Sequence, residues 1–60
     1  MAERGITERD VETALLQPIG DPSRGQPGSI VIQGYAPGGR ILNVCVRAGD
    51  HNFVITAYWR

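Results

Sequence analysis

The spacing of apolar residues changes once along the chain, near residue 29. Before it, Val11, Ala14 and Leu15 recur at steps of three and four, the mark of a helix that buries one stripe. Thr7 is placed as its N-cap, and Asp10, three residues on, can complete a capping-box exchange in which Glu or Gln is the usual partner. Ile6 and Val11 stand at hydrophobic-staple spacing, and Glu8, Asp10 and Glu12 set negative charge near the positive end of the helix dipole. Pro18 ends the run, because the residue before a proline avoids the helical region. A helix is therefore expected over 8–16. Pro18 to Gly28 holds three of the four prolines and three glycines, which makes 17–28 a loop. After it come three β-rich runs, 29–35, 40–48 and 52–59, separated by the turn sequences Ala36-Pro37-Gly38-Gly39 and Gly49-Asp50. Connections this short join antiparallel neighbours. The pattern predicts one α+β domain over 1–60, a short N-terminal helix packed on a three-stranded antiparallel β-meander.

Alternation assigns faces. If Arg47 lies opposite Asn52, Val46 meets Phe53, Val44 meets Ile55 and Leu42 meets Ala57. That makes an apolar face for the helix, with Trp59 at its end. The other face then carries Ile41 with Tyr58, Asn43 with Thr56 and Cys45 with Val54. Ile30 and Ile32 join this second face, unless a one-residue change of register sends them to the first. One short helix covers one side of a sheet, so Ile30, Ile32, Ile41, Cys45, Val54 and Tyr58 are expected to form an interface. The alternative is that they are β-formers on a solvated surface.

Composition sharpens that expectation. A chain of 60 residues hides only about 60% of its unfolded surface on folding, and domains of this size lean on disulfides, a metal or a partner. Cys45 is the single cysteine and His51 the single histidine, which rules out an internal disulfide and leaves no zinc pattern. No metal or cofactor is expected, and a homo-oligomer, in the first instance a dimer, is the remaining source of stability. An unpaired Cys suits a reducing compartment. No signal-peptide pattern opens the chain and no apolar run approaches membrane-span length, so a cytoplasmic location without membrane contact is expected. Residues 1–5 look like the tail of a preceding element. Six Arg balance six Asp and Glu, and zero net charge argues against strong non-specific binding to nucleic acid.

Candidate chemistry is sparse. His51 beside Arg47 at one hairpin end would suit a general base and a cation, yet Asp50-His51-Asn52 also reads as an ordinary turn. Tyr58 and Arg60, with Arg40, would suit stacking on a base or gripping a phosphate, although Arg at a chain end is commonplace. Arg47 and Arg60 fall at opposite ends of the hairpin, about 25 Å apart at the rise of a strand, so a site using both needs a second copy. Cys45 has no activating neighbour in sequence and reads as a small apolar filler. Gly20 to Gly28 lacks the Lys-Ser/Thr of a phosphate loop and the strand before it.

The stretch Glu3-Arg4-Gly5-Ile6-Thr7, the helix through Leu15, Pro18, the hairpins and the closing Ile55-Thr56-Ala57-Tyr58-Trp59-Arg60 resemble the bacterial family known as domain of unknown function 4258. The resemblance spans nearly the whole chain. Family members carry a His-Ala-x-x-Arg helix ahead of the Glu-Arg-Gly-Ile-Ser/Thr segment, and Met1 stands where that helix is already ending. The family is itself similar to toxins of the RelE and BrnT kind. That likeness implies a small fold neutralised by an antitoxin-like protein partner and, in its active form, a metal-independent RNA endonuclease with Arg and a base assisting the ribose 2′-hydroxyl. The missing stretch and the neutral charge favour a non-catalytic, self-associating interaction module instead.

Overall fold

The computed structural model describes residues 5–60. The Met1–Arg4 part of the family resemblance, and the tail expected there, lie outside them. The helix α1 runs Glu8–Leu16, with the expected bounds. Thr7 is extended (φ −101°, ψ 164°) and accepts from the Asp10 N–H at 3.2 Å, while its own N–H donates to Asp10 Oδ2 at 3.0 Å. The shorter Asp side chain thus closes the capping box. Ile6, Val11 and Leu15 pack against the core and Ala14 is buried within it. At the other end the Gln17 N–H is shared between the carbonyls of Thr13 and Ala14, at 3.1 and 3.2 Å, before Pro18 stops the helix.

Four strands follow, not three: β1 Ser23–Arg24, β2 Ser29–Tyr35, β3 Ile41–Arg47 and β4 Asp50–Trp59, antiparallel throughout and adjacent in chain order. The expected loop is a broken edge strand. Pro18 bridges Gly34, the Ile19 N–H donates to the Gln33 carbonyl at 2.7 Å, and Ser23 and Arg24 pair with Val31 and Ile30. Gly20, Asp21 and Pro22 interrupt the ladder between these contacts, which is why no alternation marks it. Prolines belong on such an edge, where a missing N–H costs the sheet little.

The β2–β3 register pairs Ile32 with Val44 and Ile30 with Val46. Both isoleucines therefore lie on the helix face, the outcome of the one-residue alternative, and Ile32 is part of the buried core. The β3–β4 register differs from the expected one. Ala48 and Gly49 alone make the turn, Arg47 pairs with Asp50 rather than Asn52, and Leu42 pairs with Trp59 rather than Ala57. At the Trp59 end the change is two residues, which leaves the faces of Leu42, Val44, Ala57 and Trp59 as expected. Nearer the turn, β4 carries two consecutive irregularities, opposite Cys45–Val46 and Val46–Arg47. The first sets Ile55 as the extra residue between the Cys45–Thr56 and Val46–Val54 pairs, and Val46 meets Val54 instead of Phe53.

Ala14, Ile32, Ala36, Leu42, Val44, Val46 and Ala57 form the core, all beneath the helix. Among the described residues, only Leu42, Val44 and Val46 are large and fully buried. The helix rests directly on β2, because Gly34 has no side chain to hold it off: a Cβ there would collide with the Ala14 carbonyl.

Candidate functional site

On the face away from the helix, the register sets side chains in rows across the sheet. Tyr35 stands beside Ile41; Gln33, Asn43 and Tyr58 form the next row; Val31, Cys45 and Thr56 the next; Ser29, Arg47 and Asp50 the last. Arg60 extends the first row, its backbone N–H donating to the Ile41 carbonyl at 3.1 Å. Tyr35 and Tyr58 are 44% and 39% exposed, whereas Asn43, in the middle, is buried. By strand spacing and rise the two tyrosines stand roughly 12 Å apart. The Gly25–Ser29 turn walls a shallow hollow of about 370 Å³ over Val31, Cys45, Ile55 and Tyr58.

The first β-bulge exchanges two residues between faces. Ile55, expected under the helix, lines the open-face hollow. Val54, expected beside Cys45 on the open face, pairs with buried Val46 and lines a groove with Ile6, Val11 and Leu15 on the helix side. Of the six expected interface residues, Ile41, Cys45 and Tyr58 share the open face; Ile30, Ile32 and Val54 do not. Sequence reasoning missed Tyr35 and Ile55, since the faces of both follow from register and bulge.

The chemical candidates separate into two groups. Arg47 and His51 lie at the turn end, with His51 exposed at the start of β4 rather than in a turn. Arg47 faces the Phe53 ring, its Cζ 5.8 Å from the centroid. Tyr58 and Arg60 lie at the far end of the open face. Arg40 does not join them, because its guanidinium stacks on Trp59, 3.9 Å from the ring centre, at the edge of the core. One chain thus places the candidate residues in two separate groups rather than in one constellation. Among the described residues no three His, Cys, Asp or Glu side chains are grouped to hold a metal, and no helix is long and apolar enough to cross a membrane.

Neutral charge hides an uneven distribution. The rows of the open face contain Arg47, paired with Asp50, at one end and Arg60 at the other, while α1 carries Glu8, Asp10 and Glu12 against Arg9. Asp50 sits beside Arg47 at the turn.

No curated protein and no solved structure matches the chain. One family model does, described as "Domain of unknown function (DUF4258)", over residues 1–59. Its span includes the helix, the broken edge strand and both faces of the sheet, and the chain belongs to the DUF4258 family.

Proposed function

We propose that the domain is a self-associating interaction module whose working surface is the open face of its sheet. The observation that carries this reading is a core built on one side only, while Tyr35, Ile55 and Tyr58 on the other side are 39–44% exposed. The edges are poor places for association: β1 has two residues and β4 is twice bulged, both devices that discourage strand addition. The face is better suited. The molecule measures 31 × 23 Å in its two longer directions, a footprint on the order of 700 Å², close to the share each partner gives to a stable interface. A two-fold arrangement centred on Gln33 brings its amide against that of the other copy, and an amide both donates and accepts, so such a group satisfies its own copy. It also sets Arg60 of one copy over the Asp50 end of the other.

Light scattering or sedimentation over micromolar to millimolar protein tests this. A dimer is expected, and Tyr35→Ser combined with Tyr58→Ser should return it to monomer with its circular dichroism unchanged. A monomer of 6.5 kDa across the whole range overturns the reading.

A second reading, a RelE- or BrnT-like ribonuclease toxin held by an antitoxin, is favoured by the grouping of Tyr35, Tyr58 and Arg60 with two amides. Aromatic rings on an open sheet, flanked by amides and arginine, suit unstacked bases of single-stranded RNA. With Arg47 and His51 at the other end of the sheet, cleavage on this reading draws on two copies. It predicts growth arrest on expression, relieved by Tyr58→Phe or Arg47→Ala. No arrest, and no RNA binding at low salt, dismisses it.

A further inference from the structure

On the opposite side of the molecule, a groove of about 520 Å³ runs between α1 and the bulged half of β4. Ile6, Val11, Leu15 and Val54 make its apolar floor, and Glu8 and Glu12 stand along its rim. We propose that this groove docks an amphipathic helix from a partner protein that carries two Arg or Lys residues one helical turn apart.

Charge complementarity argues for the basic residues. Asp10 is engaged in the capping box, but no ion pair engages Glu8 or Glu12 among the described residues. Glu12 lies beyond the first turn, where the dipole gives a carboxylate little support. Two carboxylates four residues apart also repel each other along a helix. A pair of cations at the same spacing on an antiparallel partner helix relieves both. The β4 bulges argue for a helix over a strand. An added strand needs a regular ladder to pair with, whereas a helix satisfies its own backbone and offers side chains alone. Val54 belongs to the floor because the bulge turned it there.

The probes are three 15-residue helical peptides with the same leucine stripe, flanked by Arg, by Gln or by Glu at positions four apart. They are titrated into the full chain labelled for NMR. The Arg-flanked peptide should bind at least about fivefold more tightly than the Gln-flanked one, as two partly exposed ion pairs allow. The shifts should fall on Ile6, Val11, Leu15 and Val54, and the preference should vanish in Glu8→Gln/Glu12→Gln and above about 0.5 M salt. Equal binding of the three peptides overturns the proposal. So do shifts confined to the open face around Tyr58, and so does a groove filled by a second copy, shown by a change of mass in Glu8→Gln/Glu12→Gln. The test is independent of self-association through the sheet, which those substitutions do not touch.

Discussion

At Gly34 the helix lies on bare sheet backbone, and the residue is fixed by space rather than by conformation. Its φ is not positive, but any Cβ would enter the Ala14 carbonyl, which is backbone and cannot swing aside. Gly34→Ala should therefore cost at least 1–3 kcal/mol, the range for overpacking, and much of the stability of so small a domain. Gly49→Ala meets nothing within 4 Å and should change the urea midpoint little, which makes it the control. In the sequence Gly34 is one glycine among eight. Its role was hidden because it depends on which helix residue crosses it. Thr7 was legible for the opposite reason, since its partner stands three residues away and local chemistry decides it. Val54 and Ile55 show the limit between these cases: both read as strand residues, and one bulge reverses what each touches.

Elements followed the same rule. Helix α1 could be bounded from its cap and from Pro18, both local signals. Thr7→Ala removes one half of the capping box and should lower stability by about 1 kcal/mol, read as a drop in the urea midpoint with an unchanged slope. The strands β2 and β3 announced themselves by β-branched residues between turn sequences. The edge strand did not, because its pairing is split between Pro18 and Ser23–Arg24 by residues that break a ladder. Pro- and Gly-rich chain reads as loop, and here it lies along a sheet edge held by β2. The open-face rows could not be derived either. They require the β3–β4 register, and the two-residue Ala48-Gly49 turn gives a different one from the longer turn that sets Arg47 opposite Asn52.

For the whole molecule, the core lies on one side of the sheet and the other side is open. If a second copy covers the open face, the thermal midpoint should rise with protein concentration, as for any assembly that binds the folded form alone. Tyr35→Ser/Tyr58→Ser should abolish that dependence while leaving the Leu42–Val44–Val46 core in place. The separation of charge belongs to this scale too. A net of zero argued against strong non-specific binding to nucleic acid, and the three carboxylates of α1 lie on the side of the sheet away from Arg60 and the Arg47–Asp50 pair.

The bulge at Ile55 gives β4 a parity rule. Between it and the second irregularity, inward and outward positions are exchanged relative to the Trp59 end. Removing one residue at Ile55 would restore alternation across the first bulge and turn the Asn52–Val54 tip over like a card, emptying the helix-side groove of its valine. Removing two would shorten the tip and keep its sides. Among relatives with hairpins of different length, even changes should preserve both surfaces, whereas odd ones should trade them.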